Sequence, residues 1–84
     1  MAVVTTSMNL SALTYAQAET IEIRSGATLT VTATPATRPG TIQCITSGKL
    51  RIENSSTTVP LIFDLHDMDN DLRFEANGVM EIRG

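Results

Sequence analysis

A chain of 84 residues is one domain at most, and a domain of this size buries only about 60–65% of the surface its unfolded chain exposes. The lone Cys44 excludes an internal disulfide and a cysteine-rich zinc site, which leaves partner subunits as the favoured support for so thin a core. A net charge of -3, with six basic residues scattered among nine acids, argues against nucleic acid, and no segment approaches the roughly 20 apolar residues of a membrane span.

Residues 1–18 are small and polar apart from scattered Val3, Val4, Leu10, Leu13 and Tyr15, with no sustained period of two or 3.6. They read as an extended N-terminal arm, with a short helix over 11–18 as an option. The opening "MAVVTTSMNL" lacks the basic start and apolar run of a signal peptide, which implies synthesis in a cytoplasm.

From Thr20 the pattern turns to alternation rich in Thr, Ile, Val and Leu, which suits a pleated, half-buried surface, so 19–84 reads as the β domain. Three segments share a layout of alternating run, small polar residue, glycine and second alternating run: "IEIRSGATLTV", "IQCITSGKLRI" and "LRFEANGVMEI". The gaps between Gly26, Gly48 and Gly78 are unequal, which favours a recurring hairpin over a strict repeat. Apolar residues keep one parity through each glycine, so a two-residue turn would put the rows on opposite faces. A three-residue loop ending in a left-handed glycine restores the match, with Ile42 facing Ile52, Cys44 facing Leu50, Leu72 facing Ile82 and Phe74 facing Met80. The same register sets Arg73 opposite Glu81 and Asp71 opposite Arg83.

Upstream, Val59, Leu61, Phe63 and Leu65 alternate, and a four-residue loop over 67–70 sets Leu65 opposite Leu72, Phe63 opposite Phe74 and Asp64 opposite Arg73. The expected fold is therefore all-β: a small antiparallel sheet or sandwich of Gly-punctuated hairpins, ending in a three-stranded meander near 59–66, 71–76 and 79–83. The alternative for the same glycines is a β-solenoid-like stack, with Gly at corners and strands stacking on neighbouring coils.

Chemistry is sparse. Asp67, Asp69 and Asp71 place oxygen ligands at alternate positions as a calcium loop does, but Leu72 and Gly78 stand where an EF-hand needs Gly and a bidentate Glu. The preferred reading is a polar hairpin loop, the alternative a shorter calcium turn. His66 beside Asp64, Asp67 and Asp71 suits a general base, yet no Ser, Thr or Cys is placed as its nucleophile, so a solvated strand-end histidine is preferred. Cys44 sits on an apolar row and reads as an inert buried thiol. No catalytic residue, cofactor or enzyme activity is expected. Thirteen threonines, with Thr28, Thr30, Thr32 and Thr34 in one alternating run, form an uncharged stripe. It is either an exposed sheet face or a surface used in subunit contacts.

The arm, the Thr-rich β domain with few aromatics, and strands such as "SGATLTV" and "SGKLRIENSS" resemble bacteriophage virion structural proteins, namely small head-decoration proteins and the N-terminal attachment domains of tail fibres or baseplate components. Bacterial surface adhesins and polymerising β-solenoids share the texture. The virion resemblance implies a non-enzymatic homo-oligomer, with a trimer favoured. It also implies docking onto another virion protein through the arm or a sheet edge and residence in the virion, while charge and hydropathy leave no nucleic-acid or membrane partner expected. The adhesin texture implies instead a calcium- or carbohydrate-binding module.

Overall fold

A computed structural model describes residues 1–65, 72–74 and 78–83. The described residues form strands β1 (Ala2–Val4), β2 (Met8–Asn9), β3 (Thr20–Ile23), β4 (Thr28–Val31), β5 (Thr41–Cys44), β6 (Lys49–Glu53), β7 (Leu61–Phe63), β8 (Leu72–Phe74) and β9 (Val79–Arg83), with one short 3-10 turn at Leu10–Ala12. The chain is all-β, as its alternation predicts.

The glycine-centred units do not fold back on themselves. β1, β3 and β5 lie side by side in parallel, and so do β2, β4 and β6. Ile42 is thus opposite Ile21, not Ile52, and Leu50 is opposite Leu29, not Cys44. The Gly26 and Gly48 units are each one coil of a solenoid-like stack: a strand in the first sheet, a corner, and a strand in the second sheet, with the Gly26 coil returning along a third side; the strands of the Gly78 unit instead pair antiparallel with β7 and β6. The inward rows run Val4, Ile23, Cys44 in the first sheet and Met8, Leu29, Leu50 in the second. Ile21, Ile23, Leu29 and Ile52 are wholly buried, with Val31, Leu50, Leu61 and Phe63 nearly so.

The corners explain the sharp change of direction after each first strand. Ser25 and Gly26 are both left-handed (φ 58 and 70), and Ala27 N–H closes the turn on Arg24 C=O at 3.1 Å. One coil on, Thr46 and Ser47 take that conformation (φ 50 and 64), with Gly48 N–H bonded to Ile45 C=O at 3.0 Å. Gly48 is therefore not the left-handed residue expected of it. It stands where the third coil crosses the second, and a Cβ there would run into the Ile23 carbonyl.

Residues 1–18 are not a separate arm. β1 and β2 each pair with a strand of the second coil, and Val4 and Leu10 are buried in the common core. This segment is the first coil, shorter between its strands and so irregular in sequence period. In place of the optional helix over 11–18 there is the single 3-10 turn, with the Asn9 side chain accepting from Ser11 N–H at 3.0 Å.

The expected meander is corrected too. β7 and β8 do form an antiparallel pair, but Leu61 is opposite Phe74 and Phe63 is opposite Leu72, two residues out of the expected register. Arg73 is opposite Ile62, while Asp64 meets Arg38 at 3.0 Å. β9 joins β6 antiparallel, placing Ile82 opposite Leu50 and Met80 opposite Ile52, so the second sheet is mixed. Glu81 stands opposite Arg51 at 2.6 Å, with Lys49 at 3.5 Å. Asp71, and with it the expected Asp71–Arg83 pair, lies outside the described residues.

Candidate functional site

Two surface features stand out, and both arise from the stacking of coils. The first is a groove along the third side. The segments 1–18 and 25–37 carry no charged side chain, and the parallel offset stacks one on the other. A cavity of about 500 Å³ lies between them, lined by Asn9, Leu13, Tyr15, Val31, Thr32 and Pro35 among others, all uncharged. A second cavity of about 380 Å³, bordered by Asn54, Ser56, Val59 and Pro60, shares Thr32, Ala33 and Thr34 with the first.

The groove's polar atoms are largely held by one another. Asn9 Nδ2–H donates to Thr32 Oγ1 at 3.0 Å, and Asn9 Oδ1 accepts from both Ser11 N–H and Ser11 Oγ–H at 3.0 Å. The Tyr15 hydroxyl donates to Thr37 C=O at 2.7 Å, tying the first coil to the second, and burial pushes its pKa up, so the neutral donor form persists. Thr34 Oγ1 accepts from Ile62 N–H at 2.9 Å and anchors β7 over the third side. Of the threonine stripe, Thr28 and Thr30 are half-buried on the outer face of β4, whereas Thr32 and Thr34 are exposed at the groove. The uncharged runs on either side of Glu19, Glu22 and Arg24 were the sequence signal for this groove, and strand alternation alone does not expose it.

The second feature is the pair of sheet edges. Among the described residues β1, β2 and β5 each have a neighbouring strand on one side only. An edge of this kind presents unpaired backbone N–H and C=O groups. Next to the first edge, the N-terminal ammonium sits 2.9 Å from Glu19, whose carboxylate also accepts from Ala16 N–H at 2.7 Å. That backbone bond, then the ammonium, lowers the Glu19 pKa below its ordinary value. On the outer face of β3, Glu22 is buried and takes both bonds from Arg24, at 2.8 and 2.9 Å. This is a local pair and not an open reactive carboxylate.

Asp67, Asp69, Asp71 and His66, the residues singled out for metal or acid–base chemistry, lie outside the described residues. Cys44 is half-buried, its Sγ 3.6 Å from Ile82 C=O. Among the described residues no group of three or more His, Cys, Asp or Glu converges on a metal-sized site, and no helix is long and apolar enough to cross a membrane. No family model matches the chain, and no curated protein or solved structure matches it either.

Proposed function

We propose that this chain is a non-enzymatic structural and assembly module of a bacteriophage virion, which joins copies of itself, or another virion protein, through its strand edges. The observation that carries the reading is the pair of edges on the first sheet, β1 on one side and β5 on the other, without strand partners among the described residues. Edges of uncharged, β-prone residues invite pairing unless covered, and neither β1 (AVV) nor β5 (TIQC) carries a charge. The thin core points the same way, since small domains gain stability from association. The docking role moves from a loose arm to the edge of the first coil.

Light scattering on purified protein, with melting followed on dilution, tests the assembly half. The expected result is a mass above one chain and a melting temperature that falls on dilution. A monomer whose melting is indifferent to concentration removes it. Proteomic analysis of purified particles from the host carrying the gene tests the virion half.

A second reading rests on the uncharged groove. Tyr15, Asn9, Ser11 and Thr32 offer a ring, an amide and hydroxyls with no fixed charge, which suits a neutral carbohydrate, as in an adhesin module. Titration of labelled protein with neutral disaccharides should then move the amide signals of Ser11, Thr32 and Ala36. Signals unmoved at millimolar sugar dispose of it.

A further inference from the structure

We propose that the outer edge of β5 is a docking slot one strand wide, which takes an extended, uncharged segment of another protein as an antiparallel fourth strand of the first sheet. This rests on the edge-docking reading above and deepens it by naming the occupant and its place.

The slot arises from an unequal strand count. Among the described residues the second sheet has four strands and the first has three. The inward rows of the first sheet, Ala2, Ile21, Ile42 and Val4, Ile23, Cys44, therefore stop one rung short of the row Met8, Leu29, Leu50, Ile82 in the second. Burial marks the missing rung. Ile21 and Ile23 are fully buried, whereas Ile42 and Cys44 are only half-buried and Ile82 is 46% exposed. Cys44 Sγ lies 3.6 Å from Ile82 C=O, so these apolar positions border one gap.

The backbone selects what fills it. Ile45 N–H bonds to Ile23 C=O at 2.8 Å, so Gln43 and Ile45 direct their N–H and C=O groups to β3, and Ile42 and Cys44 direct theirs away from it. Donors and acceptors alternating along an edge in this way are matched by an extended peptide. A folded copy of this chain does not fit. Its β1 beside β5 would bring its β2 against β6, where β9 lies, and its β5 beside β5, turned end over end, would bring its β8 and β9 into the level of β6 and β7. A single strand does fit, because Thr46 and Ser47, both left-handed, turn the chain away from the line of β5, and a straight strand continues past that corner.

The edge also sets the chemistry of the segment. β5 (TIQC) carries no charge, so nothing on it offsets the desolvation of a charged visitor. Antiparallel pairing is the more stable per residue, and β8 and β9 already run antiparallel to β7 and β6. In that sense the visitor's residues opposite Ile42 and Cys44 exchange both backbone bonds with them and turn their side chains inward, toward Ile82, so apolar residues suit both places. The residue between them lies opposite Gln43 and faces outward, where a polar side chain serves.

The test uses the full chain labelled with heavy nitrogen, and the peptide acetyl-Thr-Val-Thr-Val-Thr-amide as the probe. In the free protein the Ile42 and Cys44 amides should exchange rapidly with solvent and the Gln43 amide slowly. Saturating, millimolar peptide should slow the first two by about tenfold and leave Gln43 unchanged. A peptide N-methylated at both valines loses the donors that face β5 and should have no effect. One N-methylated at the central threonine keeps them and should act as the parent peptide does. Exchange at Ile42 and Cys44 unmoved by millimolar peptide, slowing at Val3 on the opposite edge instead, or equal action of the two methylated peptides would each overturn the slot. Light scattering on the same sample separates this from the wider reading. A protein that self-associates yet ignores the peptide loses only the slot, a monomer that binds it loses only the joining of copies, and a monomer that ignores it loses both.

Discussion

Gly48→Ala is the substitution most sensitive to how the coils cross. An added Cβ would lie 2.5 Å from the Ile23 carbonyl carbon and 3.1 Å from Arg24 N, where ordinary contact needs at least 3.4 Å. The obstacle is backbone, so the third coil must move away from the second by roughly an ångström. That movement opens the two flanking inter-coil bonds, Ile45 N–H to Ile23 C=O at 2.8 Å and Lys49 N–H to Ala27 C=O at 2.9 Å. At about 1–1.5 kcal/mol for each bond, offset by about 0.4–1 kcal/mol from a stiffer unfolded chain, the net loss is about 2 kcal/mol. Gly26→Ala meets open space and suffers only from its φ of +70, a cost of about 1 kcal/mol after the same offset. For a domain of this size the melting temperature should fall by about 8–16 °C in the first variant and about 4–8 °C in the second. Thermal unfolding at one protein concentration measures both. Hairpins would make the two glycines equivalent loop residues, so equal losses, or a larger loss at Gly26, would refute the crossing.

Three further outcomes follow from named residues. Thr46 is β-branched yet left-handed, so Thr46→Gly should raise the melting temperature by about 4–8 °C, corresponding to about 1 kcal/mol. The lowered Glu19 pKa makes its contribution fully present above the ordinary glutamate value of about 4.3 and lost as pH falls through the lower folded value. Hydrogen-exchange protection of the Ala16 amide should drop in that acid window, and Glu19→Gln should remove the pH dependence. The polar-loop reading of Asp67, Asp69 and Asp71 predicts that millimolar calcium leaves melting unchanged in the parent and in Asp69→Ala alike. A rise confined to the parent would restore the metal turn.

The β character and the inward rows were legible because alternation is a local property: Ile21, Ile23, Leu29 and Val31 do line one face, as do Ile42, Cys44, Leu50 and Ile52. Connectivity was not, because hairpin and coil demand the same parity within a unit. The distinguishing signal lay between units. Each apolar pair, Ile21 with Ile42 and Leu29 with Leu50, is 21 residues apart, whereas Gly26 and Gly48 are 22 apart. Glycine was a poor ruler, since Gly26 serves a left-handed turn and Gly48 a close crossing, one place displaced in their coils. The charge pairing of Arg73 with Glu81 was similarly ambiguous, because Arg51 on the outer face of β6 satisfies Glu81 equally well. Residues 1–18 looked like an arm because the first coil is short between its strands. Their lack of charge, repeated over 25–37, was the legible trace of the groove.

The open edges and the groove both depend on coils lying parallel. Nuclear Overhauser contacts between backbone protons of adjacent strands measure this directly. Contacts joining Ile21 with Ile42 and Leu29 with Leu50 are the predicted result. Contacts joining Ile42 with Ile52 and Cys44 with Leu50 instead would contradict it.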